Sequence, residues 1–129
     1  MMLFDSSAII NLFHEGKSKA LIGGCTLDLA DYELGSAVRR QVFVEKTLSV
    51  PEGVSALEGL GAMTASMARV RASTLPAVLE VACREGLTFY DASYLAAAAE
   101  GGHQLVTDDE RLLRVAARHL KASRSTELG

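Results

Sequence analysis

Acidic residues recur along this chain at points where an apolar stretch ends or a helix is predicted to begin. They are Asp5, Glu33, Asp91 and the adjacent pair Asp108 and Asp109. Carboxylate oxygens are hard ligands that suit Mg²⁺ or Mn²⁺, and such an ion can neutralise a phosphate and make bound water more nucleophilic. If these acids meet in the fold, the reaction they support best is metal-dependent hydrolysis of a phosphodiester bond.

Helix capping offers a structural explanation for most of these acids. An Asp ahead of a helix is a common N-cap, and this accounts for Asp5 taken alone. The segments from Thr88 to Asp91 and from Thr107 to Glu110 both match the capping-box pattern. Spacing alone therefore does not separate a capping role from a catalytic one.

Glu33 has a different context, because it shares a predicted helix with Leu34 and Val38, where an acid needs a reason to face inward. A solvated surface position is the alternative explanation. Asp28 and Asp31 lie close by as rival candidates, and we interpret them as loop and cap residues. The choice among these three acids cannot be made from spacing.

Short apolar runs alternate with helical patterns along the chain. The runs predict strands at 1–4, 25–29, 67–72 and 104–107, and the tail at 121–129 either adds an edge strand or is frayed. Helices are predicted over 8–13, 31–48, 51–63, 74–85, 91–100 and 108–120. In the helix that begins at Pro51, we place Val54, Leu57, Leu60 and Gly61 on the inner face.

Strands that alternate with helices, over connections too long for hairpins, predict an α/β fold with a mainly parallel sheet covered on both faces. Crossovers in such sheets are right-handed, so the C-terminal ends of the strands share one edge. We therefore expect Asp5, Asp91 and the pair Asp108 and Asp109 near that edge, where they could form one site.

The composition is typical of a globular domain. With 129 residues, of which 49% are hydrophobic, the chain is expected to fold as a single domain over residues 1–129. The net charge of −3 excludes a general attraction for nucleic acid, so a phosphate substrate would need a metal ion or a local basic patch. No signal-peptide pattern and no apolar run of about 18 residues is present, which predicts a cytoplasmic protein without membrane contact.

Other side chains that could do chemistry carry weaker signals. Cys25 and Cys83 lack metal-ligand spacing and are interpreted as buried thiols in a reducing compartment. Tyr90 and Tyr94 could stack on a base, although core packing is favoured. We interpret the three histidines as structural or surface residues: His14, His103 and His119. The arginines that could contact an RNA backbone, or else be solvated, are Arg39, Arg40, Arg69 and Arg71.

Four short motifs surround the acids. Asp5-Ser6-Ser7 closes the first apolar run, and Glu33-Leu34-Gly35-Ser36 lies on a predicted helix. Tyr90-Asp91 opens an Ala-rich helix, and Leu105-Val106-Thr107-Asp108-Asp109 ends a predicted strand. With these motifs in this order, over residues 1 to about 118, the chain resembles the PIN-domain nucleases, and most closely the VapC-type toxins. Ser36 departs from the Asn that is usual in the family.

The resemblance implies a PIN-like three-layer α/β/α sandwich with a central, mainly parallel sheet of four to five strands. It implies an endoribonuclease that uses Mg²⁺ or Mn²⁺. The implied catalytic acids are Asp5, Glu33, Asp91 and Asp109, and the implied metal ligands among them are Asp5, Asp91 and Asp109. The family pattern places its last acid two residues after the Thr, which selects Asp109 over Asp108.

The resemblance also implies partners. Family members commonly form dimers and are inhibited by a small antitoxin, so we expect an RNA substrate, a VapB-like antitoxin and a homodimer. Two alternatives stay open. One is a PIN-like nuclease of RNA processing or quality control that has no antitoxin, and the other is a catalytically silent PIN-fold interaction module, against which the presence of all four acids argues.

Overall fold

The centre of the computed structural model, which describes residues 1–128, is a five-stranded sheet. The strands are β1 (Met2–Phe4), β2 (Cys25–Thr26), β3 (Ala68–Arg69), β4 (Gln104–Val106) and β5 (Ala122–Ser123). They lie in the order β3-β2-β1-β4-β5, and every neighbouring pair is parallel. The predicted parallel sheet is therefore confirmed, and the tail contributes its edge strand β5.

Helices fill the connections between the strands. They are α1 (Ser6–His14), α2 (Leu29–Arg39), α3 (Val50–Thr64), α4 (Leu75–Glu85), α5 (Phe89–Gly101) and α6 (Glu110–Ala116). A π-helical turn at Arg40–Val44 follows α2, and 3₁₀ turns lie at Ser18–Leu21 and Ser125–Glu127. Gly86 and Gly102 end α4 and α5 at φ values of 69° and 67°, which glycine adopts without steric cost.

Helices cover both faces of the sheet, because successive side chains of a strand point to opposite sides. Leu3 of β1 packs into a core formed with residues of α4, α5 and α6. Its neighbour Phe4 packs into a second core with residues of α1 and α2. The result is the predicted three-layer α/β/α sandwich. Among residues 1–128, no helix combines the length and apolar character that crossing a membrane requires.

The strand order reverses its direction between β1 and β4. The chain runs from β1 outward to β2 and β3, and then crosses to the other side of β1 to form β4. In parallel sheets, such a switch point leaves a crevice at the C-terminal strand ends, where ligands bind. Asp5 follows β1, and the pair Asp108 and Asp109 follows β4. The topology therefore brings acids that are about 100 residues apart to the same edge.

The prediction for the inner face of α3 was wrong in part. Leu60 is buried as expected, but Val54 and Leu57 are 53% and 38% exposed, and Gly61 is also exposed. Gly53 faces inward instead, and a Cβ there would lie 2.7 Å from Cγ2 of Val42. Because the chain approaches α3 closely at Gly53, the buried face of α3 differs from the face that hydrophobicity alone predicts.

Several predicted element boundaries were also wrong. The strand predicted at 67–72 is paired only over Ala68–Arg69, and the predicted helix at 31–48 is replaced by α2 (Leu29–Arg39) and its π-helical turn. The helix predicted at 91–100 begins two residues earlier, at Phe89, because Thr88 caps it. Cys25 is buried as predicted, whereas Cys83 is exposed on the outer side of α4.

Candidate active site

Asp5 is a buried carboxylate at the junction of β1 and α1, with only 4% of its surface exposed. It is the N-cap of α1: its Oδ1 accepts hydrogen bonds from the backbone N–H of Ala8 at 2.9 Å and from the Ser7 hydroxyl at 2.7 Å. Its Oδ2 accepts a hydrogen bond from the Thr107 hydroxyl, beyond the end of β4. The capping explanation for Asp5 is therefore correct, and the same side chain also joins the ends of β1 and β4 at the switch point.

The environment of Asp5 opposes its negative charge. Burial raises the pKa of this carboxyl to about 6, although the hydrogen bonds from Thr107, Ser7 and Ala8 act in the opposite direction. The nearby charge of Asp91 raises the pKa further. A buried acid with another acid close by is stabilised as a carboxylate by a cation, and such perturbed groups concentrate at functional sites.

Thr107 connects Asp5 to Asp109. Its buried hydroxyl donates to Asp5 and accepts a hydrogen bond of 3.1 Å from the backbone N–H of Asp109. Asp109 is the N-cap of α6, because its Oδ1 accepts from the backbone N–H of Leu112 at 2.8 Å. The capping box predicted from Thr107 to Glu110 is therefore wrong. The N-cap of α6 is Asp109, and the Thr107 hydroxyl bonds Asp5 instead.

Asp91 lies in the first turn of α5 and is half-buried. Its backbone N–H donates to the Thr88 hydroxyl at 3.1 Å, so one of the two bonds of the predicted capping box is present. Burial is the main cause that raises the pKa of the Asp91 carboxyl, followed by the charges of Asp109 and Glu33. The Thr88 hydroxyl and the Arg111 guanidinium oppose this shift. Asp91 therefore interacts electrostatically with three acids from other elements, which are Asp5, Glu33 and Asp109.

Glu33 faces inward from α2. Its Oε1 accepts hydrogen bonds from the Tyr94 hydroxyl at 2.7 Å and from the Ser6 hydroxyl at 3.2 Å. The rival acids have another role: Asp31 and Asp28 lie 2.9 Å and 3.3 Å from the Arg69 guanidinium, to which both are paired. The structure therefore directs Glu33, and neither of its rivals, toward Asp91.

Asp108 points away from the other acids. Its Oδ2 accepts from the Asn11 amide at 2.8 Å and from the Ser125 hydroxyl, and its Oδ1 accepts from the backbone N–H of Ser125 at 2.8 Å. Its own backbone N–H donates to the Ser7 hydroxyl at 3.0 Å. Asp108 therefore ties the C-terminal 3₁₀ turn to the loop that carries Asp109.

The donor set matches a hydrated divalent cation better than a closed protein cage. Among residues 1–128, no three Asp, Glu, His or Cys side chains lie close enough together to ligate one ion. The acids do lie close enough for Asp91 to interact electrostatically with Asp5, Asp109 and Glu33. Mg²⁺ commonly uses one or two carboxylates and keeps water for its other positions. The carboxylates fit that mode of binding, in which the remaining acids act through water.

Sequence patterns did not identify several residues that shape this site. The hydroxyl groups of Ser6, Ser7 and Tyr94 bind the acids directly. The spacing of Asp91 and Tyr94, three residues apart on a helix, places both on one face and could have indicated the Tyr. Arg111 affects the charge of Asp91, yet nothing in the sequence distinguishes it from the other arginines.

Three residues had two predicted roles each. Arg69, predicted either to contact an RNA backbone or to be solvated, is neutralised by Asp28 and Asp31 and also donates to the backbone carbonyl of Thr64. The favoured core packing is confirmed for Tyr94, which is 1% exposed, although the Tyr94 hydroxyl reaches the site. Core packing is wrong for Tyr90, which is 59% exposed.

Known proteins share both the sequence pattern and the fold. The PIN domain family matches residues 2–118. Exonuclease VapC9 of Pyrobaculum aerophilum is 38% identical over 87 residues, which cover 67% of this chain and 62% of that protein. The aligned part therefore spans less than two thirds of that relative. The crystal structure of PAE2754 from Pyrobaculum aerophilum has a TM-score of 0.81 and 32% identity, over 98% of this chain and 92% of that chain.

The family match runs through all four acid-bearing motifs, from Asp5 to Asp109. The solved relative agrees with the parallel sheet and its covering helices over almost the whole chain. Sequence motifs, topology and similarity thus lead to one conclusion: this chain belongs to the PIN domain family.

Proposed function

We propose that this chain is a ribonuclease that uses Mg²⁺ or Mn²⁺ to hydrolyse internal phosphodiester bonds of RNA. The observation that carries the proposal is the proximity of Asp91 to Asp5, Glu33 and Asp109, which is close enough for their negative charges to oppose one another. These four acids come from different elements and surround the C-terminal ends of β1 and β4. Together they are called the acid cluster. Structural caps have no need to gather in this way, since each cap serves only its own helix.

In this proposal, one or two of Asp5, Asp91 and Asp109 bind the cation directly, and the third acid of this set and Glu33 act through water. A bound divalent cation would neutralise the scissile phosphate and lower the pKa of a water molecule. Glu33 has its Oε1 fixed by Tyr94 and Ser6, so its carboxylate is oriented to hold the attacking water and to accept its proton. The water oxygen would bond to phosphorus as its proton passes to Glu33, the bond from phosphorus to the leaving ribose oxygen would break, and that oxygen would take a proton from solvent.

An internal bond can reach these acids because the site is open. Asp109 is exposed, and both Glu33 and Asp91 are only half-buried. The name of the relative VapC9 describes an exonuclease. A circular RNA distinguishes the two modes, since only an endonuclease can cleave a substrate without ends. We expect this chain to linearise it.

The relative's VapC name also supports a toxin role with an antitoxin partner, and we propose a homodimeric assembly in addition. Co-purification with the product of a neighbouring gene tests this role. A small protein that binds the chain and suppresses cleavage would support a toxin and antitoxin pair. Cleavage without such a partner would favour the alternative role in RNA processing.

The experiment that tests the proposed chemistry compares matched acid variants. Asp91→Asn removes a coupled acid, whereas Asp28→Asn removes an exposed acid that pairs with Arg69 outside the cluster. We expect Mg²⁺-dependent RNA cleavage to be lost in Asp91→Asn, retained in Asp28→Asn and abolished by EDTA in the wild type. Cleavage by Asp91→Asn at the wild-type rate would contradict the proposal.

A further inference from the structure

A groove of about 350 Å³ lies beside the acid cluster, between α4, α5 and the chain that follows β3. Its walls include Leu27, Val70 and Val78, and its mouth carries Phe89 and Tyr90. Phe89 is 38% exposed and Tyr90 is 59% exposed. This volume lies at the lower end of the range for small-molecule sites, and an apolar lining is typical of such sites.

The start of α5 connects the groove to the acids, because it supplies residues to both. Phe89, Tyr90 and Ser93 line it, and Asp91 lies between them in the same helical turn. The groove also adjoins the C-terminal ends of β2 and β3, on the same edge of the sheet as Asp5. A nucleotide that occupies it would therefore adjoin a phosphate at the acid cluster.

The groove carries an arginine that is not neutralised. Arg71 lines it and is exposed, and none of the ion pairs within residues 1–128 includes Arg71. Arg69, which also lines the groove, is paired with Asp28 and Asp31. The cation that remains available favours an anionic ligand, and Arg commonly contacts phosphate oxygens in nucleic-acid complexes.

We propose that this groove binds one unpaired nucleobase of the substrate, next to the scissile phosphate. The base stacks against Tyr90 and Phe89, and Arg71 contacts the backbone phosphate. Proteins recognise single-stranded RNA in this manner, by stacking splayed bases on aromatic side chains. The inference rests on the proposed ribonuclease function and assigns to it a subsite for one base.

Binding of short, fluorescently labelled single-stranded RNA tests the groove separately from cleavage. The measurements use Asp5→Asn protein with Mg²⁺, so that the RNA stays intact. Tyr90→Ala in this background should weaken binding about fivefold or more, because the stacked ring is lost. Tyr90→Phe should restore affinity. Tyr32→Ala is the matched control, since Tyr32 is also an exposed tyrosine directly before an acid of the cluster, and it should not change affinity.

Two further measurements identify the contacts. Arg71→Gln should reduce the slope of log Kd against log salt by about 0.7, as expected for one lost phosphate contact to a single strand. Arg84→Gln, which removes an arginine already paired with Glu85, should leave that slope unchanged. An abasic nucleotide at the position that enters the groove should eliminate the penalty of Tyr90→Ala, and abasic nucleotides elsewhere should retain it.

Equal RNA affinity for Tyr90→Ala and the parent protein would overturn the proposal. A second result would also overturn it: light scattering shows that Tyr90→Ala changes the subunit number while its RNA affinity is unchanged. The groove would then be an interface between two copies of the chain. If RNA binds through Tyr90 but the wild type cleaves no RNA, the groove stands and the proposed catalytic function fails. The two failures are therefore distinguishable.

Discussion

The hydroxyl of Tyr94 donates a hydrogen bond of 2.7 Å to Oε1 of Glu33 and so joins α5 to α2 across the acid cluster. Tyr94 is buried, and this burial raises the pKa of the phenol, with the charge of Glu33 as the next cause. The phenol therefore remains a hydrogen-bond donor at neutral pH. Because Asp91 precedes Tyr94 by one turn of the same helix, α5 supplies one acid of the site and orients another.

Removal of the Tyr94 hydroxyl should impair catalysis more than folding. Tyr94→Phe keeps the ring in the core but leaves Glu33 with only the Ser6 hydroxyl. Loss of a residue that orients an acid of a metal site typically costs about 10- to 100-fold in activity or metal affinity. Initial cleavage rates over a Mg²⁺ titration measure this loss. Tyr90→Phe, at an exposed tyrosine, should behave as the wild type, and a Tyr94→Phe protein with full activity would contradict the orienting role.

The Thr107 hydroxyl should be required at the site even though it is not an acid. Thr107→Val is close in shape but removes the donor to Asp5 and the acceptor for the backbone N–H of Asp109. We expect about 10- to 100-fold lower activity for Thr107→Val. Thr107→Ser retains the hydroxyl and should recover most of the activity. The comparison of the two rates is the measurement, and equal rates would show that only packing matters there.

Adjacent acids should have separable roles. Asp109→Asn should abolish cleavage with little change in stability, since Asn also caps helices well. Asp108→Asn should retain cleavage but lower the free energy of unfolding by about 1–3 kcal/mol, because Asp108 accepts bonds from Asn11 and Ser125. Urea denaturation and cleavage rates measured on both variants decide the matter. The reverse pattern would make Asp108 the catalytic acid.

The raised pKa of Asp5 predicts a specific pH dependence of stability in EDTA. The pKa of an unfolded Asp is about 3.9, and burial raises the pKa of Asp5 to about 6 in the folded protein. The folded state therefore binds this proton more tightly than the unfolded state does. The stability that protonated Asp5 contributes is full below about pH 4 and is lost as the pH rises through 6.

Urea denaturation at pH 4 to 7 measures this contribution. The wild type should lose up to about 3 kcal/mol more stability over this range than Asp5→Asn, in which the titrating group is absent. Added Mg²⁺ should reduce the difference, because a bound cation favours the carboxylate. Parallel pH profiles for the two proteins would show that Asp5 does not titrate in this way.

Sequence patterns were sufficient for the centre of the sheet because β1 and β4 are short apolar runs that are followed closely by the capping residues Asp5 and Asp109. The alternation of elements predicts the parallel sheet, and the sheet order then explains why Asp5 and Asp109 lie at one edge. The stop signals at Gly86 and Gly102 were also readable, since both adopt the left-handed conformation. The orientation of Glu33 could not be read, because it depends on a hydroxyl 61 residues away.

The errors arose where tertiary contacts decide the outcome. The rotation of α3 depends on Gly53 packing against Val42, and the pairing of Arg69 with Asp28 and Asp31 depends on β2 and β3 lying side by side. The choice of Asp109 over Asp108 came from family resemblance. The structure adds a physical reason, because the Asp108 carboxylate accepts a hydrogen bond from Ser125 and points away from the other acids.

Titration of the metal-free protein with Mn²⁺, followed by electron paramagnetic resonance of the free ion, tests most directly whether the four acids form one metal site. The account predicts saturable binding to the wild type and to Asp28→Asn. It predicts strongly weakened binding to Asp5→Asn and Asp91→Asn, with folding of each variant verified by circular dichroism. Wild-type affinity for Mn²⁺ in both Asp5→Asn and Asp91→Asn would contradict the account, since Asp5 would then be only a helix cap and Asp91 only an acid in a first turn.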